Sequence, residues 1–445
     1  MEKILLIGAG RSTGSLIKYL TDNADSNNWE LIIADQNFEF LDKKIANLPF
    51  VTTLIFDVNN DSLREEQIQA SSLVISMLPA HMHISVAEDC IKFKKHMVTA
   101  SYISKEMENL DEAAKKEGVI IINEIGVDPG IDHLSAKKVI DEIIEGGGTL
   151  KDFETFTGGL VAPESDDNPW HYKFTWNPRN VVLACQGGAV KFIQEGTYKY
   201  IPYNKVFRRT ELIDIEGYGK FEGYANRDSL KYRKVYELEN IGTMFRGTLR
   251  RPGYGRAWDA FVQLGATDDS YTIPNSKELT FRSFINLFLP YNPHDSVELK
   301  FRHYLNMAHD DIELFEKYEW LDLFKEIPVE IENATPAQIL QQILMRKWEL
   351  AEGDKDMIVM WHKFIYTKNG KRFEKHSSMV VKGDDQIHTA MAKTVGLPVG
   401  ITAKMILNGT ITEPGVHIPI KKTIYKPILN ELEDYGIYFT EKNIT

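Results

Sequence analysis

Three stretches of this sequence carry residue types that can do chemistry. The first is the glycine loop Gly8-Ala9-Gly10-Arg11-Ser12-Thr13-Gly14, which follows the short run 3–7 and precedes Leu16, Ile17 and Leu20 at helical spacing. A buried strand that turns on a glycine and feeds a helix N-terminus brings free N–H groups and the positive end of the helix dipole together, a cradle for a pyrophosphate. The spacing is G-x-G-x-x-x-G, with Thr13 where the commonest dinucleotide fingerprint has its third glycine. Asp35 ends the next apolar run, Leu31–Ala34. A carboxylate there accepts hydrogen bonds from ribose hydroxyls and repels a 2′-phosphate, so it favours NAD over NADP. No arginine follows it, and Lys43 and Lys44 are the nearest positive charges beyond it.

The second stretch is Asn123–His133. Asp128, Asp132 and His133 resemble a metal set, but Asp132 suits the N-cap of a helix over His133–Ile144, and no second histidine lies at ligand spacing. The sequence therefore predicts no metal. Asp128 has no capping role; on a loop at the ligand edge of a parallel sheet it can hold a substrate ammonium or move a proton. Ser76-Met77-Leu78-Pro79 and Thr99-Ala100-Ser101-Tyr102 end two further candidate strands and border the same edge. His81 and His83 read as a helix start. The third stretch holds arginines among small polar residues, in Asn226-Arg227-Asp228-Ser229 and Gly247-Thr248-Leu249-Arg250-Arg251-Pro252-Gly253. Such arginines suit a bidentate grip on carboxylates, although hairpin turns with surface arginines would look similar. Lys205–Arg256 carries 12 Lys/Arg against 7 Asp/Glu inside a chain of net charge −12. That contrast points to a pocket for small anions.

The elements that must position these groups follow from periodicity. Runs at Leu73–Met77, His96–Ala100 and Val119–Ile125 alternate with helical patterns at His83–Phe93 and Lys105–Lys116, the latter closed by Gly118. Strand–helix alternation of this kind is the signature of an α/β doubly wound parallel sheet. From about Lys151 to Asp268 the pattern is β-type, rich in aromatics and glycines. From Ser276 to Leu350 it is helical, with Thr335 and Pro336 at the N-cap and first position of one helix. Asn369-Gly370 marks a hairpin, and an apolar helix is expected over about Thr389–Leu407. At ~150 residues per domain, 445 residues suggest about three domains. No apolar run approaches the ~20 residues of a membrane helix, so no spanning segment is expected. Two cysteines, Cys90 and Cys185, fit reduced thiols in a cytoplasmic protein, and the negative net charge argues against nucleic acid as a partner.

These motifs together resemble the glutamate-forming saccharopine dehydrogenase, or saccharopine reductase, family. The likeness is carried by Val119–His133, Gly158–Glu164 with Tyr172–Pro178, Asn226–Ser229, Arg246–Gly253 and Ala390–Leu407, and it spans nearly the whole chain. Thr175 and Asn177 stand where family members usually have serines, and Val161 where the pattern has proline. The resemblance implies a Rossmann domain over 1–130 with 390–445 packed on it. It further implies a mixed α/β substrate and dimerisation domain over 131–275 and 351–389, and a small helical domain over 276–350. It implies an oxidoreductase acting on a CH–NH donor with NAD or NADP in lysine metabolism, as a homodimer. L-saccharopine, a small molecule with several carboxylates, would be interconverted with L-glutamate and L-2-aminoadipate 6-semialdehyde. By family motif Ser101, Tyr102, Asp128, Arg227, Thr248, Leu249 and Arg250 would contact saccharopine. Gly8, Gly10, Arg11, Ser12, Thr13, Gly14, Asp35, Asp57, Val58, Leu78, Ser101, Asp128 and Asn177 would line the dinucleotide, with Asp128 and Tyr102 as the acid–base candidates. Two alternatives stand beside this reading: a carboxynorspermidine-type dehydrogenase with the same imine chemistry, which the basic segment disfavours, and a non-catalytic dinucleotide sensor.

Overall fold

The computed structural model describes residues 1–38 and 43–444; the side chains of Lys43 and Lys44, the cations expected nearest Asp35, lie outside the described residues. The chain forms two compact units, one of Met1–Leu150 with Tyr366–Thr445 and one of Lys151–Ile365.

The first unit is built on a parallel sheet. Its strands are β1 (Glu2–Ile7), β2 (Trp29–Asp35), β3 (Val51–Ile55), β4 (Leu73–Ser76), β5 (His96–Val98) and β6 (Ile120–Ile122). The strand Gly415–His417 adds to β6, giving a seven-stranded order that runs from it through β6, β5, β4, β1 and β2 to β3. The order reverses beside β1, and the crevice at such a reversal is where doubly wound sheets bind ligands. Ile4–Ile7 and Leu73–Ser76 are buried because helices cover both faces. Val51–Ile55 escapes a search for such runs: it is the edge strand, and Thr52, Thr53 and Ile55 face solvent. Lys105–Lys116, expected as one helix, is two, Lys105–Glu108 and Asp111–Glu117, with Asn109-Leu110 between them.

The helix Ala390–Leu407 begins at Thr389, whose hydroxyl accepts the Ala392 N–H at 2.9 Å. It packs on the helix Gly14–Asn27 through Gly396 and Gly400. A Cβ at these positions would lie 2.8 Å from the Leu16 nitrogen and 2.6 Å from Tyr19 Cδ1, so the absent side chains set the approach. This helix corrects the expectation of no membrane-length run: it has 18 residues at a mean hydropathy of 1.3, and 78% of it is buried inside the protein. Its apolar surface is core. The Asn369-Gly370 turn forms as expected, both residues at positive φ, between the strands Asp356–Lys368 and Lys371–Lys382.

The second unit holds mixed strands: β7 (Thr149–Val161), β8 (Val190–Gln194), β9 (Thr197–Ile201), β10 (Thr210–Ile215), β11 (Gly219–Ala225), β12 (Thr243–Arg250) and β13 (Asp356–Lys368). Their order is β10-β11-β12-β7-β13, with the β8–β9 hairpin joined to β12. β12 and β7 are parallel, whereas β10–β11 and β11–β12 are antiparallel. Helices including Tyr254–Leu264, Ile312–Trp320 and Pro336–Trp348 build an aromatic core of Trp170, Tyr172, Tyr254, Trp258, Phe261, Tyr318 and Trp348. Thr335 and Gln338 form a reciprocal capping box at the last of these helices, with Pro336 at its first position.

Candidate functional site

In the first unit, the glycine loop leaves β1 at the carboxyl edge of the sheet. Gly8 has φ 104°, and a Cβ there would lie 2.8 Å from the Met77 carbonyl oxygen, so a side chain would block the loop's path past the end of β4. At Gly10, by contrast, a Cβ would meet nothing within 4 Å. The space over Gly10 is open to a ligand. Thr13 stands in for the expected third glycine by a different device: its N–H and hydroxyl both donate to the Gly10 carbonyl, at 3.0 and 2.7 Å, which folds the loop into the helix starting at Gly14. Arg11 and Ser12 form the half-buried outer side of this turn. Asp35 Oδ2 accepts the Ala9 N–H and Oδ1 accepts the Asn37 N–H, tying the end of β2 to the loop. The first-turn N–H groups of the helix, the open surface at Gly10 and the anchored carboxylate suit a dinucleotide's pyrophosphate and ribose. Beyond β3, Asp57 is exposed and accepts both N–H groups of Asn59. Val58 is buried, and its carbonyl takes Arg64 Nη1 at 2.6 Å; Leu78 is half-buried against the core.

Asp128 is half-buried on the loop after β6, and Tyr102 Oη donates to its Oδ1 at 3.1 Å. That loop turns on Gly130, at φ 148°, where a Cβ would overlap the Gly126 backbone. The following helix spans Ile131–Glu145 with Gly130 as N-cap, so Asp132 is not the cap expected; it sits in the first turn, its Oδ1 accepting the Gly130 N–H at 2.6 Å. Two pairings were not foreseen. His133 Nε2 lies 2.8 Å from Glu124 Oε2, both buried, and Glu124 Oε1 accepts the Ile103 N–H at 2.9 Å. This pair fastens the chain beside Tyr102 to the helix after Asp128. The other is a file of three side chains: Ser76 Oγ lies 2.8 Å from His83 Nδ1, and His83 Nε2 lies 2.6 Å from Ser101 Oγ. Burial, and then the neighbouring His81, push His83 down to about 4 against the Leu78 carbonyl, so the ring is neutral near pH 7. A signal for it existed: with Val86, Ala87 and Cys90, His83 falls on the i, i+3, i+4, i+7 stripe that the helix His83–Lys92 buries.

In the second unit, β12 carries Thr248, Leu249 and Arg250. Arg250 is 4% exposed, its guanidinium carbon 4.8 Å from the Tyr172 ring and 5.3 Å from Tyr254. Its Nη1 donates to the Leu249 carbonyl at 2.9 Å, and its Nε is buried with no partner among the described residues. Glu222, its register partner on β11, accepts the N–H groups of Gly253 and Gly255 instead. Thr248 is half-buried, and Leu249 has no exposed surface. Arg227 is exposed at φ 51°, in a turn where Ser229 Oγ accepts the Arg246 N–H at 3.0 Å. Burial raises the Cys185 thiol to about 12, while the positive charges of Arg227 and Arg250 both act to lower it. Arg251 turns elsewhere, donating to the Tyr218 carbonyl at 2.8 Å over the Phe221 ring. Asn177 is exposed and caps the helix Pro178–Val182, its oxygen taking the Arg179 N–H at 2.9 Å. Ser101, Tyr102 and Asp128 thus share one sheet edge with the glycine loop in the first unit. Asn177, Thr248, Leu249 and the two arginines belong to the second.

Comparison with known proteins gives a consistent picture. A saccharopine dehydrogenase NADP binding domain profile matches residues 4–122, and a saccharopine dehydrogenase C-terminal domain profile matches residues 126–437. The chain is 32% identical over 452 residues to the Schizosaccharomyces pombe protein named saccharopine dehydrogenase [NADP(+), L-glutamate-forming], covering 100% of this chain and 99% of that protein. It is 32% identical to the mitochondrial alpha-aminoadipic semialdehyde synthase of Rattus norvegicus over 99% of this chain but only 48% of that longer protein. The solved apo saccharopine dehydrogenase (L-Glu forming) from Saccharomyces cerevisiae superposes with a TM-score of 0.89 at 31% identity, covering 100% of both chains.

Proposed function

This chain belongs to the saccharopine dehydrogenase family, and on that premise we propose that it interconverts L-saccharopine with L-glutamate and L-2-aminoadipate 6-semialdehyde. The observation that carries the substrate is Arg250: a buried guanidinium with an unpartnered Nε, on which the adjacent Glu222 makes no claim. A buried charge left this way is costly unless a ligand anion completes it, and saccharopine brings three carboxylates. Arg227, at the exposed rim, takes a second carboxylate. The polyamine-type alternative offers a single carboxylate on a more cationic chain, which a basic segment disfavours.

The dinucleotide, when bound, accepts or returns the hydride at the carbon of the substrate C–N bond. The glycine loop and the helix Gly14–Asn27 hold its pyrophosphate, and Asp35 its ribose. In the oxidative direction the secondary amine must lose a proton as its carbon loses hydride. Asp128 takes that proton, with Tyr102 Oη stabilising the carboxylate by the hydrogen bond already present. Water then adds to the C=N carbon and the C–N bond breaks. The same pair returns a proton to the leaving amine of L-glutamate and accepts one from the hydroxyl that becomes the aldehyde.

The proposal includes preference for NAD, in contrast to the yeast relatives whose names specify NADP(+). It rests on Asp35, whose carboxylate would repel a 2′-phosphate. Cytoplasmic residence fits Cys90 and Cys185, both free thiols. A homodimer fits the exposed Tyr198, Tyr200 and Leu212 on β9 and β10. One absorbance assay at the NADH band tests the core of this reading, offering saccharopine or carboxynorspermidine with NAD or NADP. Saccharopine with NAD should give the highest kcat/KM. Turnover of carboxynorspermidine alone, or of neither, overturns the substrate assignment, and equal or better use of NADP overturns the cofactor preference.

A further inference from the structure

His83 has no part in the reaction derived above, yet it is 4% exposed and bonded at both ring nitrogens. The Leu78 carbonyl is a further acceptor beside the ring, so the buried Ser76 hydroxyl, not the ring alone, decides which way each proton points. Ser76 Oγ belongs to a residue with no exposed surface, and His83 Nδ1 is its one partner among the described residues. A buried hydroxyl without an acceptor for its proton is strongly disfavoured, so Ser76 donates to Nδ1. A neutral imidazole has one N–H, which must then sit on Nε2 and donate to Ser101 Oγ. Ser101 Oγ has no other partner among the described residues, so its own O–H is left to point away from the ring. The file ends blind at Ser76, in the core, so it conducts no proton to solvent. It sets a polarity.

We infer that His83 is a positioning residue that turns Ser101 into a one-way donor, aimed at a carbonyl or carboxylate oxygen of the bound ligand. The geometry is the file Ser76–His83–Ser101, with a half-buried hydroxyl at its outer end. This rests on the proposed function only in placing Ser101 beside the ligand. The acceptor oxygen belongs either to the nicotinamide carboxamide or to a substrate carboxylate. A hydroxyl free to rotate would serve donors and acceptors alike; one whose lone pair is occupied by Nε2–H discriminates between them.

The test uses the full chain with His83→Phe, which fills the ring's volume without an N–H, His83→Gln, which keeps an N–H at the reach of Nε2, Ser101→Ala, and the His83→Phe/Ser101→Ala double variant. His83→Phe should weaken ligand handling about tenfold, since a hydrogen bond to the ligand loses its fixed donor. It should change nothing further once Ser101 is alanine, and His83→Gln should recover most of the loss. If the dinucleotide Kd, read by NADH fluorescence, carries the loss, the acceptor is the carboxamide. If the saccharopine KM carries it, the acceptor is a carboxylate. Independent losses from His83→Phe and Ser101→Ala that multiply in the double variant overturn the inference, since His83 then acts on the fold and not through Ser101. The 15N spectrum of His83 provides a readout that needs no turnover: protonated Nε2 with bare Nδ1 is expected, and the opposite tautomer reverses the file and overturns the assignment. Absence of saccharopine turnover in the wild type would remove the proposed function while leaving this tautomer measurement and the dinucleotide titration decisive for His83.

Discussion

On the proposed function, the two units would recognise their ligands by different means. In the first, the binding surface is mostly backbone: N–H groups at a helix start, a glycine with open space above it, and a carboxylate whose two oxygens already hold Ala9 and Asn37. In the second, it is side-chain charge: a buried arginine walled by tyrosines and an exposed one held in a left-handed turn. Backbone recognition is complete when the chain folds. Side-chain recognition leaves Arg250 with a buried, unpartnered Nε until an anion arrives. A surface of the first kind suits a cofactor shared by many enzymes, and one of the second kind suits a substrate that must be told from its relatives by the placing of its carboxylates.

This contrast can be broken most sharply at Asp128, the proposed proton acceptor on the backbone-built side. Asp128→Asn keeps the shape and an oxygen for Tyr102 Oη to donate to, but removes the charge and the base. If Asp128 moves the proton, kcat should fall by about 10²-fold or more while the NADH Kd stays near its wild-type value. A raised KM with kcat unchanged would reduce Asp128 to holding the amine, and the acid–base work would pass elsewhere. On the charge-built side, Arg250→Ala should raise the saccharopine KM by about tenfold to a hundredfold, the loss expected for one charge-assisted pair, with dinucleotide affinity intact. Arg250→Lys should recover little, because lysine lacks the planar fork. Arg227→Ala should cost less, about threefold to tenfold, since an exposed guanidinium is screened and solvated in the free protein. Arg251→Ala should leave KM unchanged, because Arg251 is turned onto Phe221 and the Tyr218 carbonyl. A large effect there with none at Arg250 would move the clamp to the other face of the strand.

How far the sequence could be read follows the same division. Continuous apolar runs marked β1, β2 and β4 because a strand buried on both faces needs them. Val51–Ile55 lacked one because an edge strand is buried on one side at most. The glycine loop was legible from spacing, since glycine is demanded where a backbone must pass close to another, as Gly8 does at Met77. Asp132 was misread as a cap because the sequence does not reveal that Gly130 turns the chain one residue earlier. The arginines were legible as a charge cluster, but Tyr172 and Tyr254 lie far from Arg250 or beyond the turn after it, and only the folded chain brings these rings over its guanidinium. His83 was visible as a polar residue on an apolar stripe. Its partners Ser76 and Ser101 lie on separate strand ends, and a contact between strand ends depends on sheet order, which no local pattern states.

The smallest expected effect sharpens the cofactor side. Asp35→Asn keeps an oxygen that can accept the Ala9 N–H, so the glycine loop should stay tied to the end of β2, and thermal stability should change little. What it removes is the negative charge facing a 2′-phosphate. The ratio of kcat/KM for NAD to that for NADP should therefore fall by a few-fold, mainly through improved NADP binding, since one unit charge at partly solvated separation is worth about 1 kcal/mol. Asp35→Ala should shift the ratio as well but also lower the affinity for both dinucleotides, because the loop loses its anchor along with the charge. The two variants thus separate the electrostatic part of Asp35 from the mechanical part. If Asp35→Asn leaves the ratio unchanged while Asp35→Ala weakens both cofactors equally, Asp35 is a loop tie and nothing more, and discrimination against the 2′-phosphate does not come from this carboxylate.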